Sequence, residues 1–224
     1  MAPAVLIMGR APRRGEVRRA LEPVLGVDGC AALQAVLLAQ ALDWAAEVAP
    51  AHIHVDYEPA DAGPDIRALS SHELVLFPQK GDGIGGRLAD AVGRVFARGG
   101  GPLLVVWADI PRLGRDHATG ALSDLESGAD IVFGPAIDGG LYLLAIRRPL
   151  PVLFSLPERA WRAADAVALA AAAAQEAGLE IGILRAERPL QRPADVRAFL
   201  ADPMLPDVVG QVLRRYGAST TDSR

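Results

Sequence analysis

Leu103-Leu104-Val105-Val106-Trp107-Ala108-Asp109-Ile110-Pro111 is an apolar run that ends on a carboxylate and a proline. Gly101-Pro102 bounds it on the other side. A short run with no polar residue, closed by turn residues at both ends, reads as a strand buried on both faces. Such strands belong to sheets covered by helices on both sides, and the flanking sequence supplies those helices. Upstream, after the glycine loop that ends at Gly86, a helix carries Leu88, Val92, Val95 and Phe96 on one face. Downstream, a helix is expected near residues 116–127.

Further outward the alternation continues. Residues 4–8 read as a buried strand, and Asp28 as the cap of a helix that runs to about residue 48 with Leu33, Leu37, Leu38 and Trp44 on its apolar side. Residues 52–57 alternate as a strand should, residues 59–64 read as a loop, and residues 73–77 form another apolar run. After residue 127 come strands at 131–133 and 141–146, a helix over 161–177 closed by Gly178, a strand over 179–184, and helices over 194–201 and 207–216. Strands alternating with helices predict an α/β fold, a three-layer Rossmann-like, mostly parallel sheet. The expected organisation is one domain over residues 1–216 and a polar, flexible tail over 217–224.

The composition excludes several classes. The chain has 224 residues, a formal net charge of −4 and one cysteine, Cys30. The charge leaves no global basic field for nucleic acid or anionic membrane. One cysteine excludes a disulfide framework and any cysteine-clustered metal site, which predicts a reduced, cytoplasmic setting. The apolar run 166–174 is too short to span a bilayer. Lys80 is the single lysine, so arginine is the default cation here and weak evidence of phosphate recognition. Nothing in the sequence bears on oligomeric state.

In a covered parallel sheet, ligands gather outside the carboxyl ends of the strands. Four loops are expected there. Asp109 ends the apolar run and could hold Mg²⁺ or Mn²⁺, or cap the turn before Pro111. Asp138-Gly139-Gly140 could bring a second carboxylate and close backbone to a ligand, although Asp-Gly taken alone is a hairpin signal. The loop with Arg10, Arg13, Arg14, Arg18 and Arg19 could wrap phosphates, or be a solvated surface. Gly81-Asp82-Gly83-Ile84-Gly85-Gly86 matches G-x-G-x-x-G, yet Pro78-Gln79-Lys80 separates it from the strand, which disfavours an NAD-dependent oxidoreductase. His52 and His54 share one face of their strand and read as surface residues. Neither a G-x-S-x-G elbow nor a P-loop is present.

At these same residues the sequence resembles a family of GT-A-like proteins known as domain of unknown function 2064. Its members are often labelled glycosyltransferases and are related to nucleotidyltransferases such as 2-phospho-lactate guanylyltransferase. The resemblance rests on Ala11-Pro12 with Gly15 and Val17, on Gln79, Gly81 and Gly85-x-Arg87-Leu88, on Asp109-x-Pro111, and most specifically on Gly134-Pro135-Ala136-x-Asp138-Gly139-Gly140-x-Tyr142.

It implies a GT-A fold and a divalent-metal-assisted, nucleotide-dependent transferase. That enzyme would move a nucleotidyl group from an NTP, or a glycosyl group from an NDP-sugar, to a small acceptor. Asp109, Asp138 and Arg18 would be catalytic, with Mg²⁺ or Mn²⁺ on Asp109 and Asp138. Arg10, Arg14, Arg19, Gln79, Arg87, Gly139 and Gly140 would face the nucleotide.

The chain departs from the family pattern in several places. Arg10 stands for a lysine, Ala20 for a basic residue, and Gly83 and Gly86 for acidic residues. A Ser/Thr-Pro pair is missing after Trp161, and Gln191 stands where a carboxylate is usual. A neutral amide binds a hard cation less well. These losses motivate the alternative of a catalytically weakened nucleotide-binding protein.

Overall fold

The computed structural model describes residues 2–162 and 164–217. Seven strands form one sheet: β1 (Ala4–Arg10), β2 (Ile53–Glu58), β3 (Val75–Pro78), β4 (Leu103–Trp107), β5 (Ile131–Pro135), β6 (Leu141–Ile146) and β7 (Ile181–Ile183). Their order is β3-β2-β1-β4-β6-β5-β7. Every pairing is parallel except those of β6, which runs antiparallel to both β4 and β5. The α/β, mostly parallel sheet expected from the sequence is present.

The reversal at β6 follows from a short connection. Residues 136–140 are too few for a crossover helix, so β5 and β6 must pair as a hairpin. Since β6 opposes both neighbours, β5 and β7 point the same way as β4. The loops after β4, β5 and β7 therefore leave from one end of the sheet.

Helices cover both faces. The long helix α1 (Glu22–Val48) and α4 (Arg115–Glu126) enclose a core of Ile7, Leu38, Leu42, Val55, Leu104, Val106 and Tyr142. On the opposite face α3 (Gly83–Phe96) and α7 (Ala166–Glu176) cover Leu6, Phe77, Leu88, Val105, Phe133 and Leu144. A third core joins the chain's two ends, where α1 meets α8 (Pro193–Leu200) and α9 (Asp207–Gly217) through Leu25, Leu33, Phe199 and Leu213. Short helices α2 (Gly63–Arg67), α5 (Pro151–Phe154) and α6 (Glu158–Arg162) complete the structure. Residues 19–48 are long and apolar enough to cross a membrane by composition, but this is a core helix whose apolar side meets the sheet and α9.

Several expectations need correction. Gly26 (φ 65°) kinks the start of α1, and Asp28 lies inside the helix with its carboxylate paired to Arg14 rather than capping. Residues 63–67 form a helix that begins at the end of the loop expected over 59–64. The helix expected over 161–177 is two helices, α6 and α7, with residue 163 between them outside the described residues. Gly217 closes α9, and residues 218–224 lie outside the described part. His54 is buried, not on the surface, because β2 lies between β1 and β3 with helices over both faces; its ring stacks on Phe77 at 5.7 Å. Gly81 precedes α3 and the other glycines of the G-x-G-x-x-G match fall in its first turn, and β3 is an edge strand that β4 does not neighbour. The βαβ geometry of a dinucleotide site is therefore not met.

Candidate active site

Two carboxylates meet at the end of the sheet. Asp109 follows β4, and Asp138 sits in the hairpin between β5 and β6. Both line a cavity of about 520 Å³, together with Ile84, Trp107, Trp161, Gly140, Gln191 and Arg192. That volume lies within the range of small-ligand sites. The hairpin reading of Asp138-Gly139-Gly140 therefore holds, and the hairpin brings Asp138 to the cavity wall. Gly139 has φ +90°, and a Cβ there would lie 1.5 Å from the Ala164 carbonyl oxygen, so glycine is required. The Gly140 N–H donates to Asp138 Oδ1 at 3.2 Å, which fixes the carboxylate.

A strap of residues 185–192 joins the two carboxylates. At its start Glu187 is bonded to the hairpin on both sides: its N–H donates to the Pro135 carbonyl (3.0 Å), and its carbonyl accepts from Ile137 N–H (2.9 Å). The Glu187 carboxylate accepts from Arg185 Nε (2.7 Å) and pairs with the buried His117 Nε2 (3.1 Å). Tyr142 donates to the Arg185 carbonyl at 3.1 Å and packs edge-on to His117. At its end the Leu190 N–H donates to the Asp109 carbonyl at 2.9 Å, and Gln191 Nε2 donates to Asp109 Oδ2.

Arg18 closes this arrangement from behind. Its guanidinium donates to the carbonyls of Ala108 (2.6 Å) and Leu190 (2.8 Å), the residues just before Asp109 and Gln191. Arg18 is in the left-handed region (φ 49°), a strained conformation for a non-glycine that these bonds hold in place. Burial pushes the Asp109 carboxyl above its ordinary value; the Arg18 charge and the Gln191 bond oppose this, and Asp138 adds to it. Burial likewise pulls the Arg18 guanidinium down.

The arginine loop does not converge on this cavity. Arg10 pairs with Glu58 and donates to the Glu16 carbonyl. Arg13 binds Asp61 and Asp65, Arg14 binds Asp28, and Arg19 donates to its own loop at Gly15. Arg10 and Arg19 line a separate cleft of about 160 Å³ with Glu16 and Glu58. Gln79 extends the β2–β3 pairing, bonding the Tyr57 and Asp56 carbonyls. Arg87 lies on α3, where its charge reaches the buried Asp56 rather than the cavity. Of the nucleotide set, then, Gly140 lines the cavity and Gly139 shapes its hairpin, while Arg10, Arg14, Arg19, Gln79 and Arg87 lie outside it. The reason is local: Arg10, Arg14 and Arg19 each have an acid or carbonyl within their own loop or on a neighbouring element.

The family model "Uncharacterized protein conserved in bacteria (DUF2064)" matches residues 41–161, more than half of the chain. The chain belongs to this family. The matched stretch holds β4, Asp109 and the Asp138 hairpin, and leaves out the arginine loop and the strap. No curated protein matches the chain. Among solved structures, a protein of Desulfovibrio desulfuricans G20, provisionally assigned as a nucleotide-diphospho-sugar transferase, is similar at a TM-score of 0.83 and 24% identity over 99% of this chain and 98% of that one. A 4-diphosphocytidyl-2C-methyl-D-erythritol synthase is similar at 0.53 and 12% identity, over 88% and 96% of the two chains. A CMP:2-keto-3-deoxy-manno-octonic acid synthetase complexed with CTP is similar at 0.51 and 17%, over 90% and 99%. At these identities the likeness is one of fold.

The family member's cavity contains groups that the sequence did not single out. Trp107, Trp161 and Ile84 give it an apolar wall, and Arg192 gives it a guanidinium. Glu158 accepts from the Ile84 N–H at 2.7 Å, capping α3 at the rim. Arg192 had one signal, its place beside Gln191. Trp161 had its place in the family pattern, ahead of the missing Ser/Thr-Pro pair; Trp107 had none, since any apolar run offers such residues to a core.

The expected Mg²⁺ or Mn²⁺ fits these donors poorly. Asp109 Oδ2 already accepts from Gln191, and Asp109 Oδ1 is occluded and has no partner among the described residues. Among the described residues no group of three acidic, histidine or cysteine side chains could hold a metal. A cation held jointly by Asp109 and Asp138 would have to share Asp109 Oδ2 with the Gln191 amide or open the occluded Oδ1.

Proposed function

We propose that this protein is a nucleotide-dependent transferase of the GT-A type that moves a glycosyl group from a nucleoside diphosphate sugar to a small acceptor. The single observation that carries the glycosyl branch is the scarcity of cations lining the cavity: one guanidinium, Arg192, beside two carboxylates, with Arg10, Arg13 and Arg14 paired elsewhere. A triphosphate carries far more charge than an esterified diphosphate and calls for several cations to offset it. The GT-A fold and the two carboxylates at the sheet's carboxyl end support the transferase reading. In the proposed step the acceptor oxygen bonds to the anomeric carbon as the bond from that carbon to the diphosphate oxygen breaks. Asp138 takes the acceptor proton, and the nucleoside diphosphate leaves. The single, buried Cys30 thiol supports a reducing, cytoplasmic setting.

The test is the thermal midpoint of the full chain against panels of NTPs and NDP-sugars, each with and without Mn²⁺, with product analysis for bound donors. A ligand that binds the native state raises the midpoint by mass action. Stabilisation by NDP-sugars, with transfer lost in Asp138→Asn while the shift is kept, is the expected result. Stabilisation by NTPs alone would return the reading to nucleotidyl transfer. The Gln191–Asp109 bond favours a second reading, a binding protein with little turnover; a shift without product would establish it.

A further inference from the structure

Arg192 is the cap residue just before α8 and lines the same cavity as the two carboxylates. Its backbone is fixed, because the Arg192 N–H donates to Asp195 Oδ2 at 2.8 Å and its carbonyl accepts from the Asp195 N–H at 2.9 Å. Asp195 Oδ2 also accepts from the Gln191 N–H at 3.2 Å, and Asp195 Oδ1 from Arg188 at 3.4 Å. Asp195 thus anchors the main chain at Arg192 without neutralising its guanidinium, which has no acidic partner among the described residues. The contrast with Arg10, Arg13 and Arg14 is direct, since each of those meets a carboxylate.

The carboxylate side is arranged in the opposite sense. Gln191, the neighbour of Arg192, donates its amide to Asp109 and so occupies one of its two oxygens, while the other is buried. The adjacent side chains of one anchored turn therefore do two things: Gln191 ties up Asp109, and Arg192 presents an uncompensated positive charge. A planar guanidinium suits two phosphate oxygens at once.

We propose that Arg192, rather than a divalent cation on Asp109 and Asp138, holds the diphosphate of a nucleotide in this cavity. This rests on the reading of the cavity as a nucleotide-dependent site. It deepens that reading by making nucleoside diphosphate binding independent of metal.

The experiment is calorimetric titration of the full chain with ADP, GDP, CDP and UDP in EDTA and again in Mn²⁺. It is repeated for Arg192→Ala, Arg192→Lys, Gln191→Asp and Arg19→Ala. At least one diphosphate binds the wild type equally in both buffers. Arg192→Ala weakens it by about 10- to 100-fold, the size of a charge-assisted contact. Arg192→Lys recovers part of the loss, and Arg19→Ala changes nothing. Gln191→Asp, which frees Asp109 and adds a carboxylate, makes binding stronger in Mn²⁺ than in EDTA. Binding that requires Mn²⁺ and ignores Arg192→Ala overturns the inference and leaves the proposed function standing. An Arg19→Ala loss equal to that of Arg192→Ala also overturns it, by moving the phosphates to the N-terminal cleft. If no diphosphate and no NDP-sugar binds in either buffer, the proposed function falls with it.

Discussion

Asp56 and His54 lie on the same face of β2, beneath α3. Both side chains are buried with no hydrogen-bond partner among the described residues. Burial pushes the Asp56 carboxyl up to about 7, with Arg94 opposing, and pulls the His54 imidazole down to about 4, helped by His52 and Arg98. The two act on stability with opposite sign. The folded chain keeps the Asp56 proton to about pH 7 and the unfolded chain releases it near pH 4, so that contribution fades as pH rises through 7. His54 is neutral when folded, so its contribution is present above about pH 6.5 and is lost as pH falls through 4. Between those values the slopes cancel. Asp56→Asn removes one of them, so stability is expected to climb from pH 4.5 to 6.5 at up to about 1.4 kcal/mol per pH unit, where the wild type is flatter. Urea unfolding at three pH values checks this, and parallel curves for variant and wild type would rule it out. The period-two pattern of residues 52–57 showed that His54 and Asp56 share a face. It could not show that α3 covers that face.

At the scale of elements, the strap and the β5–β6 hairpin set the spacing of Asp109 and Asp138, and Arg18 ties the strap to the end of β4. Arg18→Met leaves the carbonyls of Ala108 and Leu190 without their donor. It should lower the unfolding free energy by about 2–4 kcal/mol, since each lost bond was to a charged group. Chemical denaturation reads this directly, and a loss near zero would mean that the Leu190–Asp109 backbone bond alone holds the strap. In the sequence Arg18 stood among phosphate candidates. Its spacing matched the other arginines, and nothing local revealed that a residue 172 positions away accepts its bond. Asp138 was legible because Asp-Gly-Gly between two apolar runs forces a turn, whichever function it serves.

At the scale of the molecule, the third core couples the chain's two ends and lies outside the stretch that the family model matches. Leu213→Ala, fully buried between α9 and α1, should cost about 2–5 kcal/mol. Trp44, Trp107 and Trp161 all belong to the other two cores and report on them. One shifted transition in tryptophan fluorescence is expected if the molecule unfolds cooperatively. An unshifted tryptophan transition would show that the ends unfold by themselves.

The sequence by itself determined the fold class and the two carboxylates. Both depend on short-range facts: apolar runs closed by Gly, Pro and Asp, helical spacing between them, and the topological rule that sites form at the carboxyl ends of strands. Tertiary structure alone decided the charge of the site. Which arginines are neutralised depends on carboxylates brought near by folding, such as Glu58 beside Arg10 and Asp65 beside Arg13. Arg192 keeps an uncompensated charge for the same reason, because Asp195 meets its backbone and not its guanidinium.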